Sequence, residues 1–184
     1  MNDQSLSGEQ TWQEFEKASQ LEQRVYDLAL KALVLIKERL GDEKICAFAF
    51  CADSYYGDLT LSYHVYDGSL DGNDLKENYI YPPDWSHEID ERLEQLVEAE
   101  FRQVIGEKIY QLQEQENTDE FSDDFAEGYL NSLRKVMAKL EKEGAFSRLN
   151  TTENLWLVVT EIDADTREED RKLNEMRSLM VKSI

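Results

Sequence analysis

The chain of 184 residues carries 40 Asp and Glu against 20 Lys and Arg, a formal net charge of -20. Such a balance repels nucleic acid and anionic membrane and attracts basic partners from a distance, so readers of nucleic acid and membrane-surface proteins are excluded. At 41% hydrophobic and 10% aromatic the chain is too apolar for disorder, so the acidity is laid over a folded protein.

The length suits one domain spanning residues 1–184, with 1–10 expected as a polar, flexible tail. Two prolines and eight glycines favour long regular elements. Met1–Gly8 is polar with no basic region ahead of an apolar run, and no apolar run is long enough for a bilayer. The expected setting is cytoplasmic, with no membrane and no nucleic acid among the partners. Residues 84–127 hold fifteen acids and three bases, so -12 of the -20 lies there.

Taken in chain order, residues 11–40 are expected as one amphipathic helix. Thr11 and Glu14 have capping-box spacing, and Trp12, Phe15, Val25, Leu28, Ala29, Ala32, Leu33, Ile36 and Leu40 share a face. Ile45–Ala52 has no charge and reads as a buried strand, with Cys46, Phe48 and Phe50 on one face and Ala47, Ala49 and Cys51 on the other. The small face would let a helix approach closely. The two cysteines, on opposite faces, are expected as buried free thiols. Residues 58–66 alternate, with Leu59, Leu61, Tyr63 and Val65 facing one way and Thr60, Ser62, His64 and Tyr66 the other. The short link between the strands predicts an antiparallel hairpin.

After a polar loop, Tyr79–Tyr81 reads as a short edge strand ended by Pro82 and Pro83. A long helix from Ser86 to about Gln115 is expected, capped by Asp84 or Ser86, with Ile89, Leu93, Leu96, Val97, Phe101, Val104, Ile105 and Tyr110 as its apolar positions. A third runs from Asp119 or Ser122 to about Glu143, ended by Gly144. Leu155–Asp163 is a strand, and Thr166 with Glu169 has capping-box spacing ahead of a last helix to about Val181. The order α-β-β-(β)-α-α-β-α defines an α+β fold, a small and mainly antiparallel sheet packed against long helices.

Three side-chain constellations invite chemistry. The loop Asp67–Asn78 places Asp67, Ser69, Asp71 and Asn73 near calcium-loop spacing, but Asn78 stands where a bidentate Glu is required, so turn-forming residues explain it better. His64 with Thr60, Tyr66 and Asp53 or Asp67 would suit a general base on a polar sheet face. The competing reading is a partly exposed sheet histidine. His87 falls in the first turn of the second helix, where the dipole disfavours its protonation. Glu88, Glu91, Glu94 and Glu98 line one helix face, yet no Glu-x-x-His pair accompanies them, so a solvated face is favoured over a metal site. Glu114, Glu116, Asp119, Glu120, Asp123 and Asp124 extend the acidity, while Tyr55, Tyr56 and Trp85 are candidate anchors for a partner. Tyr79 and Tyr81 add to the aromatics near the loop. No metal or cofactor is called for, and no catalytic residue is assigned.

Ile45–Asp53 behind a long helix, the turn Tyr81–Ser86, then Gly144–Phe146 and Leu155–Asp163, form a layout that resembles a bacterial domain-of-unknown-function family, DUF4303-like, over nearly the whole chain. The resemblance implies no catalytic residues. Some small acidic bacterial proteins of this kind lie beside toxin genes and look like immunity proteins. The leading expectation is therefore an acidic protein-binding module, an immunity-type inhibitor of a basic toxin. The competing expectations are a small-molecule or metal-dependent enzyme around His64, and an adaptor or housekeeping protein kept soluble by its charge.

Overall fold

A computed structural model describes residues 7–78, 82, 85, 90–116 and 119–182, the side chains of 115, 116 and 119–121 excepted. Its centre is strand β1 (Ile45–Asp53), flanked by β2 (Asp58–Val65) and β3 (Thr151–Glu161) in the order β2-β1-β3. The hairpin β1–β2 is antiparallel as expected, with Phe48 opposite Tyr63 and Cys51 opposite Thr60. The class is α+β, but β1 and β3 run parallel, Phe48 opposite Leu157, so the sheet is mixed. The connection from β2 to β3 travels through the helices and returns the chain in the direction of β1. The edge strand expected at Tyr79–Tyr81 lies outside the described residues, as do Ser86, His87 and Ile89.

Both faces of the sheet are covered. A register shift between Ile45 and Ala47 in both ladders alters the expected alternation. Ile45, Phe48, Phe50 and Ala52 face the main core, whereas Cys46 joins Ala47, Ala49 and Cys51 on the other side. The cysteines thus share one buried cluster, as free thiols, rather than facing opposite ways. On that small-residue face lie Leu75, Trp85, Trp156 and Val158. Helix α3 (Gly72–Glu77) comes so close that a Cβ on Gly72 would sit 1.8 Å from the Asn154 carbonyl oxygen. Small side chains on the sheet and a glycine on the helix make that approach feasible.

The main core lies between the opposite face and the long helices. The helix expected over 11–40 is two: α1 (Gly8–Ser19) and α2 (Leu21–Leu40), broken at Gln20, whose φ of 55° is left-handed. Trp12 and Phe15 of α1 pack on Phe125, and Trp12 also on Tyr129, while Leu28, Ala32 and Ile36 of α2 join the core of the sheet. Arg24 Nε donates to the Ser19 carbonyl at 2.9 Å, satisfying an acceptor freed by the break. The capping box is made by Ser7 and Gln10, one turn before the expected Thr11 and Glu14, so helix begins inside the segment expected as a tail. Gly41 follows α2, and Gly144 follows the long helix that ends at Lys142, as expected.

The second long helix is described from α4 (Glu91–Val97), with Asp90 Oδ1 accepting from the Arg92 N–H at 3.1 Å. It continues as a π-helical segment (Glu98–Gly106) into α5 (Glu107–Glu116). Leu93, Val97, Phe101, Ile105, Ile109 and Gln113 are all buried, each four residues from the last. In a pure α-helix that spacing drifts by roughly 40° per step, about 200° over five steps, and the stripe would wind off the core. The wider π turns rotate the other way and keep the stripe facing inward. Tyr110, expected among the apolar inward positions, is consequently 38% exposed, and its neighbour Ile109 is buried.

Helix α6 (Asp119–Lys142) crosses both α1 and α2, and α7 (Thr166–Lys182) packs on α6 and β3. Glu169 does not form the expected capping box. It accepts from Arg134 Nη2, with Arg134 side chain fully buried and Glu169 5% exposed, and Asp165 caps α7 by accepting from the Arg167 N–H at 2.9 Å. Glu127 Oε1 and Asn131 Oδ1 accept from Arg134 Nη1 at 2.8 and 2.9 Å. Removing one partner of a buried pair strands the other, whereas replacing both does not. Arg134→Ala is expected to cost about 3–5 kcal/mol, and Arg134→Met with Glu169→Leu to recover most of it, read from urea-denaturation midpoints.

Candidate functional site

The hairpin turn between β1 and β2 meets the junction of the π segment with α5. Gly57 has φ +66°, and a Cβ on Gly106 would lie 2.6 Å from the Gly57 carbonyl oxygen. A Cβ on Gly57 would lie 2.5 Å from the Gly106 oxygen. Backbone touches backbone, which only glycine on both sides permits.

That contact sets Tyr55 and Tyr56 of the turn against Tyr110 of α5. The ring centroids are 5.0 Å apart for Tyr55–Tyr56, 6.4 Å for Tyr55–Tyr110 and 5.9 Å for Tyr56–Tyr110. The last pair is nearly parallel, at 23°. The three rings are 40%, 60% and 38% exposed, a contiguous aromatic platform on the surface. Tyr55 OH donates to Glu114 Oε1 at 2.8 Å, and that carboxylate holds the phenol above its ordinary range. The Tyr56 N–H donates to Asp53 Oδ1 at 3.1 Å. Glu107, Tyr110 and Glu114 are exposed and recur at three and four residues along α5, so a carboxylate lies one turn to either side of Tyr110. Large exposed aromatics with polar neighbours are the composition of an interface centre.

The acidic residues singled out from the sequence separate into groups. Glu91, Asp123 and Asp124 are exposed, and Ser122 Oγ donates to Gln113 Oε1 at 2.8 Å, joining the start of α6 to the end of α5. Glu94 and Glu98 do not form a purely solvated face. Arg102 reaches Glu94 at 3.0 Å and Glu98 at 3.7 Å, and its Nε also donates to Asp58, so this guanidinium pins the helix to β2. Glu88 and the side chains of Glu116, Asp119 and Glu120 lie outside the described residues. Trp85 is 3% exposed, 5.9 Å from the Trp156 ring, and is part of the core instead of a surface anchor.

The sheet face around His64 is covered. His64 is buried, its ring 6.2 Å from that of Trp85, while Tyr66 at the strand end is exposed. Burial holds its imidazole below the ordinary range, the nearby Asp67 opposing only in part. Its Nδ1 has no hydrogen-bond partner among the described residues. A cavity of about 60 Å³, not bordered by His64, lies between β2 and α4 at Thr60, Tyr63, Asp90 and Leu93, with room for little more than water. In the loop, Asp67 accepts from the Ser69 N–H at 2.9 Å, and Asp71 caps α3 by accepting from the Asn73 and Asp74 N–H groups at 2.8 and 3.1 Å. Asp67 and Asp71 thus serve two separate turns, and Asn73 lies within the helix. Among the described residues no group of three or more His, Cys, Asp and Glu is placed to hold a metal ion. Both thiols are raised by burial, Cys46 to about 11 and Cys51 to about 12, far from a reactive thiolate.

An open groove of about 770 Å³ runs between α1, α6 and α7 past Trp12, Lys135, Lys172 and Met176. Its cations are paired, Lys172 with Glu127 at 3.0 Å and Lys135 with Glu22, just outside the groove, at 2.9 Å. Fold and surface together define an α+β protein with an aromatic platform in an acidic surround. No protein-family model, no curated protein and no solved structure matches this chain. No described helix is long and apolar enough to cross a membrane.

Tyr110 escaped the sequence reading because its aromatic ring was counted among the apolar positions of the helix. The strict four-residue spacing from Leu93 to Gln113 is the signal that identifies Ile109 as the inward residue and Tyr110 as the outward one.

Gly106→Ala drives a methyl into a backbone oxygen that cannot turn aside. Overpacking costs about 1–3 kcal/mol and outweighs a helix-propensity gain of up to about 1 kcal/mol. The expected outcome is a net loss of about 1–2 kcal/mol, measured by urea denaturation, with altered tyrosine signals in near-UV circular dichroism. For His64, the folded pKa is depressed while the unfolded chain titrates near 6.5. Below that value the unfolded state takes up a proton that the folded state refuses, so stability falls as pH falls. NMR titration of the imidazole should give a midpoint under 6.5, and His64→Gln should lose this part of the acid sensitivity.

Proposed function

We propose that the protein is an acidic protein-binding module of the cytoplasm, an immunity-type inhibitor that covers a basic toxin. The reading rests on one observation: three tyrosines stand exposed and in mutual contact beside Glu107 and Glu114, in a chain of net charge -20. Toxins that attack nucleic acid are cationic where they meet their substrate, and an acidic, aromatic surface complements such a site. The net charge speeds encounter, and the buried aromatic area then slows dissociation. Resemblance to small acidic bacterial proteins encoded beside toxins agrees with this reading. The enzyme reading around His64 has less to support it: His64 is buried, and among the described residues no group of three or more His, Cys, Asp and Glu is placed to hold a metal ion.

The test is capture of partners from the source cell's lysate at low and at high salt, followed by kinetics on the captured protein. A single basic partner, held at near-stoichiometric level and released by salt, is expected. Glu114→Lys with Asp123→Lys and Asp124→Lys should lower its association rate by about ten- to a hundredfold at low salt. Unchanged affinity and unchanged salt dependence in that variant would remove this surface from the interface.

A further inference from the structure

We infer that the tyrosine platform is a seat for an arginine side chain of the partner, with Tyr56 and Tyr110 as the stacking faces and Glu107 and Glu114 as the flanking carboxylates. The inference rests on the docking reading above and names the chemistry that the surface selects.

Geometry narrows the occupant. A planar or cationic group held between two rings needs about 7 Å, two contact distances of about 3.5 Å. Tyr56 and Tyr110 are 5.9 Å apart, and Tyr55 stands edge-on to both at 84° and 74°, so the rings fill the space between themselves. An enclosing cage for a methylated ammonium is therefore excluded, and a ligand meets the platform on its open side. The face there belongs to Tyr56, the most exposed of the three at 60%, and to Tyr110.

Chemistry narrows it further. The faces of the rings are electron-rich and attract cations. The Tyr55 hydroxyl donates to Glu114, which orients that carboxylate at the platform's edge and leaves it further lone pairs to accept a second donor. Glu107 sits on the opposite side of Tyr110 along α5. A guanidinium is flat, weakly hydrated and forked, so it can lie on a ring and still donate sideways to a carboxylate. A lysine ammonium is a strongly hydrated point charge that gains less from the ring and does not bridge both functions. The platform thus distinguishes between two cations that the net charge alone treats alike.

Hexa-arginine and hexa-lysine peptides, equal in charge, are the probes. Titrated calorimetrically against the full chain at low salt, hexa-arginine should bind about three- to fivefold more tightly. Tyr56→Leu and Tyr110→Leu, both at exposed positions and checked for folding by circular dichroism, should reduce that preference to near unity. Equal binding of the two peptides by the unaltered protein overturns the arginine seat. So does a preference that survives both leucine variants. If the peptides bind equally and both weaken in the Glu114→Lys, Asp123→Lys, Asp124→Lys variant, the arginine seat fails while acidic docking stands. If neither peptide binds at low salt, both readings fall.

Discussion

Strand β1 is the constraint on which the rest is built. It is paired on both edges and covered on both faces, and from Ile45 to Ala52 its residues are at most 5% exposed. A strand in that position has no tolerance for charge, which is why ICAFAFCA has none. The two faces need different partners. The phenylalanine face fills the space under long helices, while the alanine and cysteine face brings α3 and Trp156 almost onto the backbone. The asymmetry of one eight-residue run thus sets the thickness of the layer on either side of the sheet.

From that frame the platform follows by register. The hairpin carries Tyr55 and Tyr56 to the end of the sheet, and the π segment holds Ile109 in the core so that Tyr110 beside it meets them at the surface. Neither would suffice without the Gly57–Gly106 contact, where two backbones approach as no side chain would allow. Arg102 reinforces the same seam one turn earlier, joining Asp58 of β2 to Glu94. The tyrosine platform is therefore a product of an internal packing demand: six buried residues spaced by four require wide turns, which keep Ile109 inward and leave its neighbour Tyr110 at the surface.

Element types were largely legible in the sequence, because apolar periodicity and the absence of charge are local signals. The hairpin, the helix ends at Gly41 and Gly144 and the α+β class all follow from them. What escaped was decided by partners distant in the chain. The break at Gln20 serves two different packing surfaces, Glu169 leaves its capping box for Arg134, and the parallel sense of β3 depends on the route through the helices. The bulge at Cys46 moves a side chain across the sheet with no change in composition. At the surface, Tyr55 and Tyr56 were visible as turn aromatics, but Trp85 and Glu94 were misplaced because burial and the Arg102 pairing are not encoded in their neighbours.

The aromatic residues are sorted by depth in a way that gives this protein two independent optical voices. All three tryptophans are at most 5% exposed, Trp12 in the main core and Trp85 with Trp156 in the cluster on the other face of the sheet. Indole emission therefore reports the integrity of the interior and is shielded from soluble quenchers. The platform phenols, by contrast, stand in solvent, open to tyrosine-directed reagents that leave the indoles untouched. Occupancy of the surface and melting of the core can be followed separately in one unlabelled sample.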